Sequence, residues 1–176
     1  MAIGRYIYVV YVVGVARIRC RRELHTNHTM KSVWNTAEQE ELRARIARLS
    51  PDARPRWGRM DAPRMLAHLC DALRMASGDL VIPPKNVPLR FPPLKQLFLY
   101  VLPMPRGAPT AKELVTRQPA DWHADLRELQ GRFDELVRRG PAATADAHPA
   151  FGRMSGRAWG VLIYKHTDHH LRQFGM

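Results

Sequence analysis

One stretch near the end of the chain decides its fold: WGVLIYKHTDHHLRQFG, from Trp159 to Gly175. Large apolar side chains and two histidines recur in it every three or four residues, at Trp159, Ile163, His166, His170 and Phe174. That spacing places them on one face of an α-helix. The stretch therefore predicts a last helix, N-capped by Ser155, whose buried face carries both imidazoles into the core.

Three more helices are predicted upstream of it. Thr36 opens the sequence TAEQ, which fits a capping box formed with Gln39. Asp61 and Asp121 are suitable N-caps for a second and a third helix, each with an apolar stripe at helical spacing. No strand pair and no internal repeat stands out, so we expect an all-α fold.

A long connection separates the second helix from the third. Residues 80–120 contain nine prolines and allow only one short helix, over about Leu94 to Val101. Connections of this length in compact domains are usually functional or disordered. We expect a four-helix bundle in which this proline-rich crossover covers one end, with Phe98 and Tyr100 facing a pocket.

The histidines point to a metal site. His166 and His170 are four residues apart, which lets two imidazoles on one helix reach the same ion. His68, at the edge of the apolar face of the second helix, is the candidate third ligand, and three histidines plus water form an open metal site. The sequence lacks the glutamate of a zinc protease motif. Spacing alone leaves open that these are ordinary core histidines.

Other chemically notable residues receive lesser roles. His169 lies about 100° around the helix from His170, so it is not expected to be a ligand. His123 is placed on the solvent side of the third helix, and His148 is assigned to shaping a loop in preference to facing the pocket. Cys70 is expected in the core, where a free cysteine behaves as a small hydrophobic residue.

Two motifs resemble a known superfamily. The sequence MLAH at 65–68 resembles the second-helix motif of the DinB/YfiT-like metal-dependent four-helix bundles. The tail from HPAFG at 148–152 to KHTDHHLRQFG at 165–175 resembles one largely uncharacterised branch of that superfamily. The resemblance covers residues 30–176 and implies that His68, His166 and His170 bind a divalent metal, commonly zinc or nickel. Asp71 and Asp168 are candidate hydrogen-bond acceptors behind these ligands, or simply surface carboxylates.

The resemblance also implies a class of chemistry. Characterised members of the superfamily include S-transferases that use bacillithiol, mycothiol or glutathione, and a mycothiol-dependent isomerase. We therefore expect a metal-dependent enzyme of the thiol transferase or hydrolase type, acting on a small molecule with a low-molecular-weight thiol as co-substrate. The sequence leaves the oligomeric state open, with a homodimer as one alternative, and it names no catalytic base.

Composition narrows the alternatives. The 176 residues are 45% hydrophobic and 25% charged, as in ordinary globular domains, and two cysteines exclude a disulfide framework. The formal net charge is +12, but beyond residue 29 the basic residues alternate with acidic ones. Nucleic-acid binding would favour a clustered basic stripe with stacking aromatics, so we expect no nucleic-acid partner.

The first 29 residues differ from the rest. Residues 6–16 are apolar, but eleven residues are too few to span a bilayer, and four arginines follow them. Met30 then opens a well-formed helical sequence. We interpret 1–29 as an upstream or disordered extension, with a signal or anchor as the alternative. We expect 30–176 to be one cytoplasmic domain without a membrane contact.

Three function classes follow: a metal-dependent enzyme, a non-catalytic metal- or ligand-binding stress protein, and a basic module that binds nucleic acid or a membrane surface through the N-terminal arm. Metal analysis separates the first two classes from the third.

Overall fold

The computed structural model describes residues 30–107 and 110–176, and the expectations for residues 1–29 lie outside them. The described residues are mostly helical, which confirms the all-α prediction. The α-helical segments are α1 Thr36–Ala47, α2 Ala62–Ser77, α3 Leu94–Gln96, α4 Trp122–Arg139 and α5 Gly156–Gln173. A π-helical turn, Leu97–Val101, continues α3, and single 3-10 turns lie at Pro88–Arg90, Lys112–Leu114 and Pro141–Ala143. A hairpin of two short antiparallel strands, β1 Ala147–His148 and β2 Gly152–Arg153, was not predicted from the sequence.

The four long helices share one core. Helix α2 packs against both α4 and α5, and α1 packs against α5. The largest fully buried side chains include Trp159 of α5, Phe133 of α4 and Met65 of α2. Since α2 and α5 are neighbours, residues on their facing sides can act on the same group.

Local sequence signals place three of the four helix starts correctly. The side chains of Asp61, Asp121 and Ser155 each accept a hydrogen bond from the backbone N–H three residues later, at 2.9, 2.9 and 3.3 Å. Such caps satisfy amide groups that have no partner within the helix. The capping box predicted at the fourth start is wrong, although α1 does begin at Thr36. Helix α1 has Asn35 at its N-cap without a side-chain bond, and the Gln39 amide donates instead to the Val33 carbonyl at 2.7 Å.

The segment before α1 explains that difference, because it is seated against α5. The Val33 amide donates to the Gly160 carbonyl at 3.1 Å, and the Trp34 indole N–H donates to the Gly156 carbonyl at 2.8 Å. Gly160 makes this approach possible, since a Cβ there would lie 2.1 Å from the Trp34 indole nitrogen. Residues from about Ser32 onwards therefore belong to the packed fold, and Val33 is fully buried.

The connection between α2 and α4 packs down onto the core. Its α3 and π turn were predicted as one short helix at the same position. Leu99 and Leu114 are buried, and the Lys165 ammonium of α5 donates to the carbonyls of Phe98, Leu99 and Leu102. Lys165 thus holds the π turn against α5 through carbonyl groups within and directly after that turn. Across residues 30–107 and 110–176, no helix combines the length and apolarity needed to span a bilayer.

Candidate metal centre

The three histidines predicted as ligands meet between α2 and α5. The Nε2 atom of His166 lies 3.0 Å from Nε2 of His68 and 3.2 Å from Nε2 of His170. Their candidate ligand atoms all lie within 4.8 Å of one another, and the ring centroids are 4.7–4.9 Å apart. The i, i+4 spacing on α5 brings His166 and His170 together, and the packing of α2 on α5 adds His68.

Hydrogen bonds on the far side of two rings set their tautomers. His68 Nδ1 lies 2.9 Å from the Leu114 carbonyl oxygen, and His170 Nδ1 lies 2.9 Å from Oε1 of Gln173. Both oxygens can only accept, so each Nδ1 carries the proton and each Nε2 presents a lone pair to the centre. The Gln173 amide is itself oriented, because its Nε2 donates to the Trp57 carbonyl at 2.8 Å.

The electrostatics of the cluster favour neutral imidazoles. Burial, followed by the neighbouring histidines, lowers the pKa of His170 to about 3 and that of His166 well below its usual range. Burial likewise lowers the pKa of His68, although the Leu114 carbonyl and Asp71 oppose the shift. Metal binding needs deprotonated ligands, so three neutral imidazoles whose Nε2 atoms converge fit a divalent cation that prefers nitrogen.

Asp71 and Asp168 were left open as acceptors behind the candidate ligands or as surface carboxylates, and neither side chain hydrogen-bonds one of the three histidines. Asp71 is buried but pairs with Arg74 at 3.2 Å and with Arg117 at 3.6 Å. Asp168 pairs with Arg45 at 2.8 Å and with Arg172 at 3.0 Å. Both carboxylates therefore take part in ion pairs that join separate elements. The His68 and His170 rings instead hydrogen-bond a backbone carbonyl and a side-chain amide.

Sequence reasoning missed these two actual acceptors. Gln173 lies three residues after His170 on the same helix, which is a spacing at which side chains meet, so its role could have been found. The Leu114 carbonyl carries no sequence signal, because any residue at that position of the 3-10 turn would offer the same oxygen.

A cavity of about 500 Å³ opens beside the histidines. Its wall is mainly apolar, with contributions from α2, from α5 and from the connection, which supplies Phe98, Met104 and Leu114. The prediction that Phe98 faces the pocket is confirmed. Tyr100 does not line it and is 38% exposed, since Leu99 occupies the inward position of the π turn.

The remaining histidines and the cysteine separate by position. His169 lines the cavity but packs edge-on against Trp57 with ring centroids 5.7 Å apart, outside the ligand cluster. His123 is exposed, as predicted. Cys70 is fully buried, and burial raises the pKa of its thiol to about 12, so it is not a reactive thiolate.

His148 combines two roles that were treated as alternatives. Its Nδ1 accepts hydrogen bonds from the backbone N–H groups of Ala150 and Phe151, at 3.1 and 3.3 Å, which shapes the β1–β2 turn. The same ring also lines the cavity.

Comparison of the chain with protein-family models, with curated proteins and with solved structures finds no match.

Proposed function

We propose that this chain is a DinB/YfiT-like four-helix bundle that works as a metal-dependent enzyme on a small molecule, by thiol S-transfer or by hydrolysis. One observation carries the proposal: three neutral imidazoles converge through Nε2 at the wall of an apolar cavity of about 500 Å³. Ligand pockets in proteins commonly have this size and this mixture of apolar wall and few polar groups.

The ligand number supports catalysis over a purely structural metal. Structural zinc sites usually close with four protein ligands, whereas catalytic sites use three and leave one position for water or substrate. His68, His166 and His170 would hold zinc or nickel, and no fourth His, Cys, Asp or Glu joins the cluster among the residues that the structure describes. A divalent metal so held lowers the pKa of a bound thiol or water and thereby supplies a nucleophile near neutral pH.

Residues of the chain would orient the metal ligands and contact the substrate. The Leu114 carbonyl and Gln173 keep two ligand rings in place, and such outer hydrogen bonds tune metal sites. The connection contributes Phe98 and Met104 to the cavity wall, and these apolar side chains would contact an apolar substrate. A low-molecular-weight thiol would share the cavity with that substrate.

A second candidate function is metal or ligand binding without turnover. The observation that favours it is the cavity wall, where no aspartate or glutamate lies among the described lining residues to act as a general base. Sequestration of a metal or of a small molecule under stress would need only the histidines and the apolar wall.

The test begins with elemental analysis of protein purified without a histidine tag. Wild type should hold about one zinc or nickel per chain, and His68→Ala, His166→Ala and His170→Ala should each lose it. His169→Ala is the matched control and should keep it. Wild type without any divalent metal would overturn the proposal.

The catalytic part needs a turnover assay. Consumption of glutathione, mycothiol or bacillithiol is followed with an aryl halide: the thiolate sulfur bonds to the ring carbon, halide leaves, and the thiol proton goes to buffer. Metal-dependent turnover that His170→Ala abolishes supports the enzyme. Full metal occupancy without turnover of thiol or ester substrates would favour the binding protein.

A further inference from the structure

His148 presents a hydrogen-bond donor to the cavity. Because its Nδ1 accepts from two backbone amides, the proton of the neutral ring must sit on Nε2. The ring packs against Phe151 and Trp159, with centroids 4.8 and 5.4 Å away, and this holds its orientation.

The Nε2–H group is available to a ligand. It has no hydrogen-bond partner among residues 30–107 and 110–176, although the ring lines the cavity. In that part of the chain only Trp57 Nε1 is a fully buried side-chain polar atom without a partner, so the unpartnered His148 Nε2 keeps some exposure.

Lys85 adds a positive charge to the cavity that His148 lines. Its backbone N–H donates to the Pro149 carbonyl at 2.9 Å, which ties it to the loop that carries His148. Lys85 is one of the residues that line the cavity, and it makes no ion pair with the described carboxylates. Burial first, then the charges of Lys85 and Lys95, lowers the pKa of His148 to about 4, which agrees with a nearby ammonium group.

We propose that His148 Nε2–H and the Lys85 ammonium form an anion subsite, which binds the carboxylate or a similar negative group of a small apolar molecule. The apolar body of that molecule would occupy the cavity beside the three histidines. Electrostatics agree, because Lys85 and Arg59 line the described cavity and no acidic residue does. The inference deepens the proposed function and rests on it for the small-molecule occupant.

The test uses the full chain and three probes of equal size. These are 1-naphthoate, 1-naphthylmethanol and 1-naphthylmethylammonium, and their binding to metal-free protein is measured by calorimetry. We expect naphthoate to bind at least about tenfold more tightly than the alcohol, and the ammonium probe to bind more weakly than the alcohol, since a buried charge gains from an opposite partner. Equal binding of the three probes, or no binding of naphthoate, would overturn the subsite.

Variants then locate the charge. Lys85→Gln should reduce naphthoate affinity to that of the alcohol while leaving the alcohol unchanged. Lys112→Gln is the matched control, because Lys112 is exposed in the same connection and does not line the cavity. A naphthoate preference that survives Lys85→Gln, or that falls equally in Lys112→Gln, contradicts the assignment.

Nitrogen NMR of the wild-type histidines reports the tautomer without any ligand. An Nδ1-protonated His148 would also contradict the assignment. Failure of the proposed function can be told apart from failure of the subsite, because metal content is measured separately. A protein that takes up no metal but still prefers the anion through Lys85 supports the subsite and contradicts the metal-dependent enzyme. A preference for the anion that requires metal and is unchanged in Lys85→Gln contradicts the subsite and leaves the metal-dependent enzyme standing.

Discussion

Gln173 offers the sharpest test of how the candidate metal centre is built. Its Oε1 accepts the Nδ1 proton of His170 at 2.9 Å, while its Nε2 donates to the Trp57 carbonyl at 2.8 Å. Gln173→Leu keeps a similar side-chain volume and removes both bonds. The buried His170 ring then loses the acceptor that determines its tautomer and orientation.

The size of the effect follows from those two bonds. Loss of an outer-shell partner of a metal-binding histidine typically weakens metal affinity by about 10–100-fold, which corresponds to about 1.4–2.7 kcal/mol. Leaving the buried His170 N–H without an acceptor also costs about 1–3 kcal/mol in the free energy of unfolding. We therefore expect Gln173→Leu to be less stable and to bind metal at least about tenfold more weakly than wild type.

Gln173→Glu separates the acceptor from the donor. A carboxylate still accepts the His170 proton but can no longer donate to the Trp57 carbonyl. Metal affinity should therefore stay near the wild-type value, while stability falls because the Trp57 bond is lost. Competition with a chromogenic chelator measures affinity, and chemical denaturation of the metal-free protein measures stability.

Two results would refute the reasoning. If Gln173→Leu bound metal within about twofold of wild type, orientation of His170 by Gln173 would have no role in the affinity. If the Glu and Leu variants lost affinity equally, the effect would come from the Trp57 contact and not from the bond to the imidazole.

Three further predictions address the scaffold. Gly160→Ala should destabilise the protein by about 1–3 kcal/mol, because its Cβ would meet Trp34, whereas Gly131→Ala, which has open space, should be neutral or slightly stabilising in the same thermal melts. As pH drops from about 6.5 to about 4, His148 should lower the free energy of unfolding by up to about 3 kcal/mol, because the ring binds a proton in the unfolded chain but not in the folded one. His148→Asn should reduce this pH dependence in a series of denaturation curves. An unchanged dependence of the unfolding free energy on pH would contradict the lowered pKa. Lys165→Met should release the π turn, so that limited proteolysis cuts within residues 91–107 sooner than in wild type, and equal cleavage rates would show that the three carbonyl contacts do not hold it.

Helical periodicity made much of the fold and part of the histidine cluster predictable. Asp61, Asp121 and Ser155 mark helix starts by a local hydrogen bond that needs no tertiary context. His166 and His170 share a face for the same reason, because a spacing of four residues is close to one helical turn. His68 was predicted as the third candidate from its place at the edge of the apolar face of the second helix, and the structure places it beside the other two rings.

Tertiary packing decided what completes the site. The Leu114 carbonyl reaches His68 because the connection folds back over α2, and a backbone oxygen leaves no trace in the residue type. Asp71 lies three residues after His68, yet its carboxylate pairs with Arg117, which is 46 positions away in the chain.

The start of α1 likewise depends on tertiary contacts as well as on local sequence. TAEQ is a valid capping pattern, but the docking of Val33 on Gly160 drew the Gln39 amide elsewhere. The amino-acid sequence by itself therefore determined which helices form and which histidines share a helix face, because both depend on contacts within a few helical turns. Only the tertiary structure decided the partners of His68 and His148 and the inward residue of the π turn, because those depend on contacts between segments far apart in sequence.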